Sequence, residues 1–148
     1  MSLREDIAID IVTDLQGITV PEVKLVSRNP INTTDISIEQ YPCIMVRTTT
    51  ESRSDETMRD LRFGEIDYTI TAYVRASSSA TTINNNIDTQ RNAITEAICE
   101  KLEEDRTRNS KAFNSYVTTV AVDDGTTYPI GQVDITFKVL YKYTKGVV

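Results

Sequence analysis

Close to its C-terminus the chain reads Val133-Asp134-Ile135-Thr136-Phe137-Lys138-Val139-Leu140-Tyr141-Lys142-Tyr143. The odd-numbered positions are all apolar or aromatic, and the even-numbered positions are polar or charged except for Leu140. Because successive side chains of a β-strand point to opposite faces, this period of two predicts a long strand with one buried face and one polar face. Residues 66–75 alternate in the same way and predict a second strand of this kind.

Two further segments have strand character. Residues 41–47 form a compact apolar run that enters Thr48-Thr49-Thr50, and residues 116–122 are rich in β-branched side chains. The turn-rich residues 123–131 separate the last two strands and predict an antiparallel hairpin. Asp123 and Asp124 in that turn could bind Mg²⁺, but their place before Gly125 favours turn geometry. Residues 18–40 are irregular, and only Val23, Leu25 and Val26 suggest a short extended piece at a sheet edge.

Two segments have the period of an amphipathic helix. In residues 3–16, an apolar stripe of Leu3, Ile7, Ile11 and Leu15 lies opposite Arg4, Glu5, Asp6, Asp10 and Asp14. Residues 83–102 carry a narrower stripe, marked by Ile83, Ile87, Ile94, Ile98 and Leu102. We therefore predict one α+β domain over residues 1–148, with a mainly antiparallel four-stranded sheet and two helices packed on one of its faces.

The composition excludes several classes of site. The 148 residues include 16 Lys plus Arg and 22 Asp plus Glu, for a net charge of −6, and no histidine. Without histidine there is no Ser/His/Asp or Cys/His nucleophile system and no imidazole metal site. Phosphate-binding glycine loops are also missing. Cys43 and Cys99 lie far apart and form no C-x-x-C pair, so we expect reduced core thiols, with a single disulfide as the alternative. We predict no catalytic, cofactor-binding or metal-binding residue.

The same composition bears on location and on nucleic acid. The N-terminus turns acidic at once and no apolar stretch is long enough to cross a bilayer, so we expect neither export nor a membrane partner. Lysines and arginines are scattered along the sequence, which is unfavourable for binding the phosphates of duplex DNA. An acidic surface could still let DNA pass without binding it.

The candidate functional residues lie in a long charged loop between two predicted strands, residues 51–62. Its charges alternate in sign, and the candidates are Arg53, Asp55, Glu56, Arg59, Asp60 and Arg62. One interpretation is a solvated hairpin tip, which buries too little apolar surface to order itself. The other is a self-complementary arm that pairs with a neighbouring copy, as head-to-tail ring contacts permit.

Five segments together resemble the tail terminator (tail completion) proteins of tailed bacteriophages. They are residues 3–16, Tyr41-Pro42-Cys43-Ile44-Met45-Val46, Tyr68-Thr69-Ile70-Thr71-Ala72-Tyr73-Val74, Ile94-Thr95-Glu96-Ala97-Ile98-Cys99-Glu100-Lys101-Leu102 and residues 133–143. The resemblance implies a non-enzymatic virion protein, assembled in the host cytoplasm, that forms a ring, usually of six copies, at the tail–neck junction. Such a ring caps the head-proximal end of the tail tube and stops its growth. Its implied partners are the tube protein, neck or connector proteins and, in a contractile tail, the sheath, with genomic DNA passing through the lumen.

Other functions remain open at this point. A head-closure protein or a tail tube subunit would use a similar small α+β domain. An adaptor could instead bind an extended peptide at a sheet edge. A small enzyme would have to rely on carboxylates alone, held close together in a pocket.

Overall fold

The computed structural model describes residues 3–19, 23–29, 40–54, 61–75, 87–108, 112–123 and 130–144. Their helices and strands follow one another as α1 (Leu3–Gln16), β1 (Leu25–Ser27), β2 (Cys43–Ser54), β3 (Leu61–Arg75), α2 (Ile87–Glu103), β4 (Asn114–Val122) and β5 (Ile130–Thr144). The predicted α+β class is confirmed. Residues 83–86 of the second predicted helix lie outside the described residues.

The strands form one mixed sheet in the order β1-β2-β3-β5-β4. The pairs β2–β3, β3–β5 and β4–β5 are antiparallel, and β1 lies parallel to β2 through the partners Leu25 and Cys43, Val26 and Ile44, and Ser27 and Met45. The predicted count of four strands is therefore wrong, because the short extended piece around Leu25 is a fifth strand. Three residues give too weak a pattern for that strand to be counted without its partner.

The alternation that predicted the two central strands is confirmed by burial. Along β3 and β5 the side chains on one face are fully or almost fully enclosed, namely Ile66, Tyr68, Ile70, Ala72, Val74, Val133, Ile135, Phe137, Val139 and Tyr141. With Ile44 and Val46 of β2 they form the sheet side of one continuous apolar core. Each buried valine, isoleucine or phenylalanine among them contributes about 1.5–3 kcal/mol through removal from water.

Both helices cover this same face, as predicted. The helix α1 lies over β1 and β2 and buries Ile7, Ile11 and Leu15, and α2 lies over β3, β5 and β4 and buries Ile94 and Ile98. Asp10 was predicted on the outer side of α1, but it is only 7% exposed. Its burial depends on a contact distant in sequence, which the helical pattern does not contain.

That contact is Arg108, whose side chain is completely buried where the C-terminal ends of the helices meet. Its Nη1 lies 2.5 Å from Asp14 Oδ2 and 3.2 Å from Asp10 Oδ2. Its other nitrogens donate to the carbonyl oxygens of Leu102, at 2.8 Å, and of Asp105, at 2.6 and 2.9 Å. Arg108 thus pairs two α1 carboxylates and satisfies carbonyl groups at the end of α2 that have no helical partner.

The strands extend further than the sequence pattern predicts. Residues 51–54, placed in the charged loop, continue β2, and residues 61–62 begin β3. Residues 130–131, assigned to a turn, and Gln132 after them already belong to β5. In each case the residue pairs with a neighbouring strand, as Arg53 does with Gly64, and this pairing overrides weak local strand propensity.

Candidate assembly surface

The charged loop predicted over residues 51–62 is largely a β-ladder in the residues that are described. The register pairs Glu51 with Ile66 and Ser54 with Phe63, and β5 continues beside them through Leu61 and Thr144. We call the described residues 51–54 and 61–65 the arm. Together with the end of β5, the arm forms a three-stranded extension of the sheet. Backbone hydrogen bonds between the strands therefore hold it.

The six candidate residues are placed unequally. Arg53 lies in β2, is exposed, and has its Nη2 3.5 Å from Glu51 Oε1 of the same chain. Arg62 lies in β3 opposite Tyr143, with its side chain outside the description. Asp55, Glu56, Arg59 and Asp60 lie outside the described residues. The self-complementary arm therefore stays a prediction.

The base of the arm is braced by Glu51, which the sequence placed in the charged loop. Its side chain is 14% exposed, accepts a hydrogen bond from the Tyr141 hydroxyl, and lies 3.0 Å from Arg4 Nη1 at the start of α1. Burial and the neighbouring carboxylate raise the pKa of Tyr141 to about 12. The Tyr141 ring packs directly over Gly64, where an added Cβ would lie 2.5 Å from Cζ. These contacts join α1, β2, β3 and β5 at one point.

The sheet face away from the helices is polar in its middle, as predicted. Thr71 Oγ1 donates to Asp134 Oδ1 at 2.8 Å, and Gln132 Nε2 lies 3.3 Å from both oxygens of the same carboxylate. Lys138 Nζ lies 3.4 Å from Glu65 Oε2. The strand register places on this open face Arg47, Arg75, Lys138 and Lys142 together with Glu65, Asp67 and Asp134. The charge of this face is thus nearly balanced.

Both ends of the open face carry apolar groups, which the prediction of a polar face did not include. At one end Tyr41, Cys43 and Tyr73 form a small buried cluster. Beside the arm, the rings of Phe63 and Phe113 meet edge to face at 5.7 Å, and Lys142 Nζ lies 5.8 and 5.9 Å from their centroids. Phe113 is nevertheless 45% exposed.

The exposed apolar surface is concentrated along one edge. Among the described residues, the large apolar side chains that are exposed are Ile9, Phe113, Tyr116, Val120 and Val122. All but Ile9 lie within or directly before β4, the last strand of the sheet. By the register, Tyr116 lies on the open side and Val120 and Val122 on the helix side, so the exposed apolar groups border both faces of this edge.

The negative charge is concentrated elsewhere, on the outer surface of α2 and its end. Exposed acidic residues there are Asp88, Glu96, Glu100, Glu103 and Glu104. Of the basic residues beside them, Lys101 lies 3.7 Å from Glu104, and the partly buried Arg91 binds Asp123. An acidic field that repels phosphates would therefore come from α2 rather than from the open sheet face.

The turn interpretation of Asp123 is supported by its contacts. Its Oδ1 lies 2.5 Å from Arg91 Nη1 and accepts the backbone N–H of Gln132 at 3.3 Å, so this carboxylate fastens α2 to the end of the β4–β5 connection. Asp124 lies outside the described residues. Within the described part of the chain, no group of three potential metal ligands comes together.

An open groove of about 200 Å³ separates the C-terminal end of α1 from α2. Its walls are Gly17, Ile18, Thr19, Ala97, Glu100, Lys101 and Glu104. The polar side chains there include the exposed ion pair of Lys101 and Glu104, which is typical of a solvated helix surface.

Neither described helix has the length and apolarity to span a bilayer.

Comparison with known proteins gives little that bears on function. No protein-family model matches the chain, and no curated protein sequence matches it. A solved structure described as the virion of a native gene transfer agent particle aligns over 92% of this chain and 96% of the matched chain, with a TM-score of 0.49 and 8% identical residues. A likeness with these values establishes neither a common fold nor a common function.

Proposed function

We propose that this chain is a structural, non-enzymatic virion protein of a tailed bacteriophage and acts as a tail terminator. Copies of the chain form a ring, usually of six in the family it resembles, on the head-proximal end of the tail tube. The ring stops tube polymerisation and presents a surface to neck proteins. DNA passes through its lumen.

The observation that carries the proposal is the folded state of the five segments on which the resemblance rests. These segments lie in α1, β2 with the two residues before it, β3, α2 and β5, in the helical and extended states that their patterns predict. The resemblance therefore covers both helices and three of the five strands. Head-closure proteins and tube subunits remain the related alternatives.

The surface chemistry is consistent with assembly. The contacts of Glu51 fix the base of the arm, so the arm can offer a defined surface to another copy. The exposed apolar groups between Phe113 and Val122 lie along one sheet edge. An acidic α2 facing the lumen would keep phosphates from adhering and let DNA slide. A lumen lined by basic side chains would contradict this part of the proposal.

Electron microscopy of negatively stained protein tests the assignment. The purified chain is imaged alone and mixed with tubes assembled from the tube subunit of the same phage. We expect closed rings, or density at one end of tubes whose growth then stops. Long homopolymers would identify a tube subunit, and monomers that never touch a tube would refute the terminator assignment.

The arm can be tested with a charge-removal variant. Replacing Arg53, Arg59 and Arg62 together by alanine is expected to weaken ring formation while leaving the melting temperature nearly unchanged, since exposed ion pairs contribute only about 0–1 kcal/mol. Arg75→Ala, at the other end of β3, is the control. If the triple variant assembles as well as the control, the arm is a solvated hairpin tip.

An exposed edge strand also favours a second candidate, an adaptor that adds an extended peptide to β4. Such a protein would remain monomeric and bind a peptide through backbone hydrogen bonds. Monomers in the microscopy experiment, combined with protection of β4 amides from hydrogen exchange by an extended peptide, would favour this candidate.

A further inference from the structure

An exposed aromatic ring lies at the corner of the open face where β4 begins. Phe113 is 45% exposed, and its ring meets Phe63 edge to face at 5.7 Å. Lys142 Nζ lies 5.9 Å from the Phe113 centroid. We call Phe63, Phe113 and Lys142 the aromatic corner. Because aromatic side chains are enriched in the cores of protein–protein interfaces, this corner is expected to contact another protein surface.

The groove between α1 and α2 has the complementary chemistry. Ile18, which is 6% exposed, and Ala97 contribute apolar walls, and Glu100 and Glu104 contribute carboxylates. Lys101 also lines the groove and lies 3.7 Å from Glu104. Glu100 is exposed and has no ion-pair partner in the part of the chain that the structure describes. The groove therefore suits an apolar ring that is accompanied by a cation.

The place of these carboxylates on α2 also favours a cation from outside. Glu100 lies in the last turn of the helix, and Glu104 directly follows it, where the helix dipole is negative. Lys101 is the only basic residue of that last turn. A lysine from another copy would meet both the carboxylates and the negative helix end.

The two surfaces lie at the same end of the molecule but on different sides of the sheet. The chain after α2 lies beside the start of β4, where Ser115 Oγ donates to the Arg106 carbonyl oxygen at 2.9 Å and Arg106 Nε donates to Asn114 Oδ1 at 3.2 Å. Phe113 comes directly before Asn114 and shares the open side with the rest of the aromatic corner. The groove lies on the helix side. Since the sheet separates the two, the corner of one copy can reach only the groove of another copy.

We propose that the Phe113 ring of one copy enters the groove between α1 and α2 of the next copy, with Lys142 beside Glu100 and Glu104. The contact joins two different surfaces, and contacts of this type generate a ring when the rotation between copies closes. The other exposed acidic residues of α2 do not line the groove and lie outside the contact, namely Asp88, Glu96 and Glu103. This inference rests on the proposed function, because it specifies a contact by which the ring closes.

An exchange of charge tests the pairing. Lys142→Glu and Glu100→Lys are made as single variants and combined in a double variant, and ring formation is followed by sedimentation velocity. We expect each single variant to raise the concentration needed for ring formation at least about tenfold, because like charges then face each other. The double variant should form rings near the wild-type concentration. A double variant that assembles no better than either single variant would overturn the proposal.

A mixture of the two single variants separates a contact between copies from an effect within one copy. In a ring that alternates Lys142→Glu and Glu100→Lys, opposite charges face each other at every contact. We therefore expect the equimolar mixture to form rings at a concentration at which neither variant does so alone. A mixture that assembles no better than its components would overturn the proposal.

Removal of the ring tests the apolar part of the contact. Phe113→Ser and Ile9→Ser remove apolar side chains of similar exposure, 45% and 42%. We expect Phe113→Ser to raise the concentration needed for ring formation at least about tenfold and Ile9→Ser to leave it unchanged. Rings formed equally well by wild type and Phe113→Ser would overturn the docking alone. A wild-type chain that stays monomeric would overturn the ring itself.

Discussion

Substitution of Arg108 is the perturbation with the largest effect that the structure predicts. The guanidinium is 0% exposed, contacts Asp10 and Asp14, and donates to the carbonyl groups of Leu102 and Asp105. It also lies 5.8 Å from the centroid of the Phe137 ring in β5. Methionine at this position keeps the aliphatic stem and removes every donor.

The magnitude follows from what the substitution leaves behind. Removing one partner of a buried ion pair costs about 3–5 kcal/mol, because the other charge stays buried without compensation. Here the substitution takes the cation away from two carboxylates, those of Asp14 and of Asp10, which is only 7% exposed. A domain of this kind has a total stability of about 5–15 kcal/mol, so the loss is a large part of it. In a domain of this size each kcal/mol lowers the melting temperature by about 2–4 °C.

Urea unfolding followed by far-ultraviolet circular dichroism measures the effect. We expect Arg108→Met to lower the unfolding free energy by about 3–5 kcal/mol, while the m-value changes little. Arg108→Lys keeps the charge but cannot reproduce the planar set of donors, so it should lie between methionine and wild type. Arg108 has φ of 48°, a conformation that glycine adopts at no cost. Arg108→Gly should therefore be less destabilised than Arg108→Ala.

Two results would refute this reasoning. A change below about 1 kcal/mol for Arg108→Met would mean that the guanidinium does not compensate the buried carboxylate. Equal stability of Arg108→Gly and Arg108→Ala would mean that the positive φ imposes no cost. The control is Arg75→Ala, at a partly exposed position far along β3, which should change stability by no more than about 0.5 kcal/mol.

Three further predictions concern single side chains. Gly64→Ala forces the Tyr141 ring away from an added Cβ and should destabilise the protein by about 1–3 kcal/mol in urea unfolding; an unchanged midpoint would show that the ring moves freely. The pKa of Tyr141 is raised to about 12 from the usual 10, so its contribution to the unfolding free energy is complete below pH 10 and is lost as pH rises through 12. The unfolding free energy should therefore fall less steeply with alkaline pH in Tyr141→Phe than in wild type. Burial raises the pKa of Cys43 to about 11, and Cys99 is only half-buried, so a thiol reagent at pH 8 should modify Cys99 first and Cys43 only after unfolding. Equal rates at both thiols would contradict that order.

The sheet and helices could be predicted from the sequence where one face of an element is buried along its whole length. The alternation in residues 133–143 and the stripe beginning at Ile7 each repeat often enough to identify a strand and a helix. The sequence pattern of β1 is too short to identify a strand, since Leu25–Ser27 becomes a strand only through its pairing with β2. Where a strand begins and ends depends on its partner strands, which the periodicity of the sequence does not encode.

The polar groups that fix the arm and the helix ends were harder to predict. Glu51 was placed in a charged loop and no sequence pattern marked Arg108, yet both lie largely enclosed. The partner of Glu51 is Tyr141, 90 positions away, and the partner of Arg108 is Asp14, 94 positions away. One signal was present: Asp10 and Asp14 lie four residues apart and therefore share a helix face that a single cation can reach.

The positions of these polar contacts separate stability from assembly. Arg108, the Arg91–Asp123 pair and Glu51 each fasten a helix to strand ends or to the other helix, and none of these contacts involves the outer edge of β4. Arg108 and Glu51 have no hydrogen-bond or ion-pair partner in β4, and sites without shared partners act nearly independently in stability measurements; Asp123, which directly follows Val122, is the exception. Variants at the three contacts should therefore lower the melting temperature of the isolated chain. Variants along the outer edge of β4 should leave that temperature unchanged and alter only the concentration at which copies associate. A variant such as Val120→Lys that lowered both together would show that β4 helps to hold the core of its own chain.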